Sequence, residues 1–70
     1  MEIIQPRNWR DAKAKFGPVR KRQIWVNRVF RNQVMVSKKV GEAWRCENVA
    51  KEGSHLIDER VLYKYFDLLK

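Results

Sequence analysis

Apolar positions recur at helical spacing in two stretches near the start of the chain. Trp9, Ala12 and Phe16 share one face of a predicted first helix that opens at Asn8 as N-cap, carries Asp11 in its first turn and stops at Gly17. In the next stretch, Pro18 to Arg31, Val19, Val26 and Phe30 stack on one side at 3.6 residues per turn. Trp25 and Val29 widen that stripe, and Arg20, Lys21, Gln23, Asn27, Arg28 and Arg31 cover the remainder. Proline is tolerated in a first helical turn, so the spacing predicts a second helix over 18–31, joined tightly to the first through Gly17-Pro18. A strand competes for the same residues, because Ile24, Val26, Arg28 and Phe30 also alternate and β-branched residues suit a sheet.

Asn32-Gln33 ends that pattern, and Val34 to Lys38 reads as a short strand. Val40 to Ala43 turns the chain into a second strand, Trp44 to Asn48, with Trp44 and Cys46 on one side and Arg45 and Glu47 on the other. Val49 to His55 has no clear period. Asp58 caps a last helix whose apolar face is Val61, Leu62, Tyr65, Phe66 and Leu69, while Met1 to Arg7 forms a lead-in with Ile3 and Ile4 available for packing. The expected architecture is α+β and winged helix-turn-helix-like. It has two N-terminal helices, a two-stranded wing hairpin and a C-terminal helix over 58–70, in a single domain spanning 1–70.

Composition narrows the function. With 70 residues the chain is near the lower limit for burying a core without metal or disulfide, so Trp9, Phe16, Trp25, Phe30 and Trp44 are expected in that core rather than as base-stacking platforms. The single cysteine, Cys46, excludes an internal disulfide and a cysteine-rich zinc site, and fits a cytoplasmic setting. One His, one Cys and scattered carboxylates form no catalytic constellation, and neither a glycine-rich phosphate loop nor metal-ligand spacing is present. No enzyme activity, cofactor, metal or membrane partner is therefore expected. Net charge is +8, and it is uneven: Met1 to Lys39 holds 11 Lys/Arg against Glu2 and Asp11, whereas Val40 to Lys70 carries one more acid than base. The basic half is suited to a polyanion.

On a helix, Arg20, Gln23, Asn27 and Arg28 would reach base edges in the major groove of double-stranded DNA. Ile24 would meet a thymine methyl, and Lys21 and Arg31 would meet phosphates. Lys38 and Lys39 beside the wing tip, with Arg45 behind, would enter the adjacent minor groove or clamp its phosphates, which favours DNA that narrows or bends. Neutralising some six phosphates would give a salt slope of about −5. A domain this small covers limited DNA, so cooperative self-association on tandem sites is expected.

Particular residues carry a resemblance. Trp9 to Gly17 ends in Phe-Gly; Trp25-Val26 lies in the basic stretch; Lys39-Val40-Gly41 precedes Trp44; and Glu47-Asn48-Val49-Ala50-Lys51 leads to Leu56-Ile57-Asp58. In this order, over roughly 3–58, the chain resembles the small phage excisionases, the recombination directionality factors. The resemblance implies a DNA-bending accessory protein that assists a tyrosine integrase in prophage excision, at the nucleoid in the host cytoplasm. Where several relatives carry a flexible tail that contacts integrase, this chain continues past Asp58 into a predicted helix, and Tyr63, Lys64 or Asp67 are the residues to which that contact would transfer. Two alternatives remain open: a winged-helix phage transcriptional regulator, and, if Gln23 to Phe30 is a strand with Arg31 to Gln33 as its hairpin loop, a small SH3-like barrel binding RNA or a host protein.

Overall fold

The computed structural model describes residues 7–70; the lead-in residues Ile3, Ile4 and Pro6 lie outside that range. The chain runs α1 (Trp9–Phe16), β1 (Ile24–Asn27), β2 (Gln33–Val40), β3 (Ala43–Asn48), β4 (Ser54–Asp58), α2 (Glu59–Tyr65) and β5 (Phe66–Leu68). The strands form one antiparallel sheet in the order β4-β3-β2-β1-β5. The two helices pack on each other against one face of it.

Helix α1 has the predicted bounds. The Asn8 side chain accepts from the backbone N–H groups of Arg10 (2.9 Å) and Asp11 (3.4 Å), and Gly17 closes the helix at φ 79°, donating to the Lys13 carbonyl. The predicted second helix does not exist, and with it the winged-helix architecture falls. Pro18 to Gln23 is a loop, Ile24 to Asn27 is a strand, and Arg28 to Phe30 is a turn. Of the two periods written into this segment, the alternating one wins because β1 becomes a central strand, paired with β2 through Trp25 and Val34 and with β5 through Trp25 and Leu68. That places Trp25 at 0% exposure, in edge-on contact with Phe16 (5.5 Å) and Tyr63 (5.8 Å). A helix would have stacked Phe30 on Val19 and Val26, but Phe30 is 80% exposed and does not belong to the core.

The hairpin of β2 and β3 is present with its turn at Gly41-Glu42, although it forms the middle of a sheet rather than a wing. Two further expectations are corrected at its far side. Ser54 and His55 are not loose: they open β4, which pairs along β3 from Glu47↔Ser54 to Ala43↔Asp58. The last helix begins at the Asp58 cap, whose carboxylate accepts from Arg60 N–H at 2.8 Å, but it ends at Tyr65. Phe66 is extended and starts β5, so Val61 and Leu69 stay exposed while Leu62, Tyr63 and Phe66 are buried.

Directly paired residues share a sheet face. Trp25, Val34, Val36, Cys46, Trp44 and Ile57 therefore point inward to the helices, and Ala12, Val19, Leu62, Tyr63 and Phe66 complete the core. The outer face carries the rows Ile24–Met35–Glu47–Ser54 and Lys38–Arg45–Leu56. An irregularity between Val36 and Lys38 makes Ser37 an extra residue, which turns Lys38 outward and leaves Lys39 opposite Trp44.

Candidate nucleic-acid interface

The residues assigned to one helix face are distributed over three places. Arg20 and Lys21 are exposed in the loop before β1. Gln23 holds that loop in shape: its side-chain oxygen accepts from Arg20 N–H (2.8 Å) and from the Trp25 indole (3.3 Å). Ile24 lies on the outer sheet face opposite Met35. The remaining three, Asn27, Arg28 and Arg31, belong to the turn at the other end of β1, about 14 Å away for four residues at strand rise.

In that turn two of the proposed base-reading side chains serve the backbone instead. The Asn27 carboxamide oxygen accepts from Val29 N–H (2.8 Å) and Phe30 N–H (2.9 Å), an Asx turn that fixes the tip. Arg28 bridges to the end of α2, its backbone N–H donating to the Tyr65 carbonyl and its guanidinium to the Lys64 carbonyl, both at 2.9 Å. Neither residue is free to read a groove. Arg31 is exposed, with φ +64°, a left-handed conformation that is costly for a residue bearing a Cβ. Arg22, at φ +73°, is the other such non-glycine among the described residues; the two arginines stand at opposite ends of β1.

The tip itself is what the sequence pattern hid. Val29 (51% exposed) and Phe30 (80%) project between Arg28 and Arg31. The next residue, Arg31, borders an apolar-walled cleft of about 330 Å³ between this turn and the one after β3, lined also by Asn32, Gln33, Asn48, Val49 and Lys51 among others. Lys51 and Val49 were not among the expected site residues; the signal available for the turn was the Asn27…Asn32 bracket around two apolar residues.

Lys38, Lys39 and Arg45 are exposed as expected but serve two faces. Lys38 pairs with Arg45 across β2 and β3, and Arg45 with Leu56 on β4, forming a shallow outer groove. Lys39 sits over the Trp44 ring at 5.7 Å, near a second cleft where Lys13 and Arg60 are matched by Glu42, Asp58 and Glu59. Those carboxylates compete with any incoming anion.

Among the described residues the ion pair is Arg7–Asp67, and no charged side chain is buried. Cys46 is fully buried and burial pushes its thiol up to about 11, so it holds its proton and packs as a small apolar residue. Burial also raises Tyr63, reinforced by the Glu59 charge and opposed by a backbone hydrogen bond at Val19; its hydroxyl donates to the Gly17 carbonyl at 2.7 Å. No group of three or more metal-ligating side chains is gathered among the described residues, and no helix there is long and apolar enough to cross a membrane. No protein-family model, curated protein or solved structure matches the chain.

Proposed function

We propose that this protein is a non-enzymatic nucleic-acid-binding module that works through charge displayed on a small sheet rather than through a groove-reading helix. What carries the reading is the surplus of positive charge standing in solvent: a net +8 on a body of 29 × 27 × 20 Å, with Arg20, Lys21, Arg31, Lys38, Arg45 and Lys51 all exposed. An unneutralised field of this density concentrates polyanions and releases counterions when phosphates replace them. The excisionase resemblance implied a winged helix, and with Pro18 to Arg31 not helical it lends no support to an integrase partner.

Fluorescence anisotropy with labelled oligonucleotides across a salt series tests the proposal. Four to six phosphate contacts give a log K against log[salt] slope of roughly −3 to −5. Absence of binding at low salt, or an affinity indifferent to salt, would contradict it.

A further inference from the structure

We propose that the β1–β2 tip and the cleft beside it form a subsite for unpaired nucleotides of a single-stranded nucleic acid, with Phe30 as the stacking platform. This rests on the nucleic-acid reading above and goes further by naming the ligand's conformation and the residues that select it.

Three observations converge. A phenyl ring left 80% exposed in a chain with few large residues to bury is a costly display of apolar surface, and the backbone that carries it is tied down. The Asn27 carboxamide fixes both tip N–H groups and Arg28 ties the turn to the end of α2, so the backbone under the ring needs no ordering at binding. Next to it, the cleft offers Val49 as an apolar wall and the side-chain amides of Asn32 and Gln33, which have no protein partner among the described residues. Amides of this kind pair with Watson–Crick edges once a base is unstacked. Arg31 and Lys51 stand on opposite banks of that cleft, and both are exposed cations suited to the flanking phosphates.

An apolar ring one residue along the chain from a cleft that holds free amides and two cations matches the three parts of a nucleotide strand: base face, base edge and phosphate. In a duplex the base faces are stacked away, and Phe30 would first have to unstack a step. The other two clefts lack this combination. One sets three of the protein's own carboxylates beside its cations, and the outer groove holds Lys38, Arg45, Leu56 and the His55 imidazole without a side-chain amide.

The test uses the full chain and three labelled 12-nucleotide probes of equal length, in DNA and RNA form: a mixed-sequence single strand, the same backbone with abasic residues, and the duplex. The proposal predicts that the base-bearing strand binds more tightly than the abasic one, by about 5- to 150-fold for one stacked base. It also predicts that Phe30→Ala shrinks that difference, leaving only the part contributed by Asn32, Gln33 and Val49. Arg31→Ala weakens both strands.

Equal affinity for base-bearing and abasic strands overturns the subsite while leaving the nucleic-acid reading standing. Tightest binding to the duplex, with loss on Phe30→Ala, overturns the single-strand assignment in favour of insertion between base steps. No binding to any probe at low salt overturns both. Because Phe30 is exposed, its replacement leaves the fold intact, which urea unfolding of the variant verifies.

Discussion

The two hairpins that share β2 treat their apolar residues in opposite ways. Between β2 and β3, Val36, Cys46 and Trp44 go inward, and the chain reverses through Gly41-Glu42, a short polar turn that takes a positive φ at glycine. Between β1 and β2, the strands bury Trp25 and Val34, yet the longer turn exposes Val29 and Phe30 and takes its positive φ at Arg31. The first hairpin is shaped by what folding requires. The second departs from that economy at its tip, and the departure, apolar surface and backbone strain beside cations, marks the place to look for a ligand.

The sharpest contrast comes from the two largest rings on either side of this divide. Trp25→Ala removes the side chain that meets Phe16 and Tyr63 and should cost about 3–5 kcal/mol, enough to unfold a domain of this size in urea titrations. Phe30→Ala should change stability by no more than about 0.5 kcal/mol in the same titration. If Phe30→Ala were as damaging as Trp25→Ala, the tip would be part of the core and the comparison would dissolve.

A pH titration addresses the buried side of the molecule, and comparison with Cys46→Val isolates the hairpin's share. The folded state raises the Cys46 thiol from 9.0 to about 11, so its contribution is fully present below pH 9 and is lost as pH rises through 11. Fully shielded from solvent, that difference would correspond to about 2–3 kcal/mol, and solvent screening makes it smaller. Urea midpoints should therefore fall between pH 9 and 11, and Cys46→Val should flatten part of that fall; Tyr63, shifted in the same direction, supplies more of it. A profile identical in Cys46→Val and the parent would mean the thiol is not buried.

Asn27→Ala gives a smaller effect than loss of the buried groups and the finest discrimination. Losing the acceptor for Val29 and Phe30 N–H should cost about 1 kcal/mol of stability and loosen the tip, because both groups lie near solvent and water replaces the lost bonds. Hydrogen exchange at those two amides should accelerate while exchange in β2 and β3 stays as it was. Unchanged exchange would show that the turn holds without its Asx bonds.

What was legible in the chain follows the range of the forces involved. The limits of α1 are written locally, in Asn8 and Gly17, and the β2–β3 hairpin in an alternation broken by Gly41. The Asp58 cap likewise marks where α2 begins. Residues 18–31 carry both periods, and what decides between them is remote: β5 closes on β1 from some forty residues downstream, in the register Trp25↔Leu68. The same remoteness hid the end of α2, since Phe66 leaves the helix to supply that pairing. Of the site, the cations were legible as composition but their grouping was not, because it depended on the wrong element. Phe30 was misread because a large apolar residue in so short a chain is ordinarily needed inside.

Everything said of the tip can be examined residue by residue in solution. Amide chemical shifts of the ¹⁵N-labelled protein, followed while the single-stranded 12-nucleotide probe is added, should move chiefly at 28–33 and 48–51, on both banks of the cleft. They should leave Gly41-Glu42 at the opposite hairpin tip undisturbed. Perturbation centred instead on Lys38, Arg45 and Leu56, or none at any residue, would contradict the account.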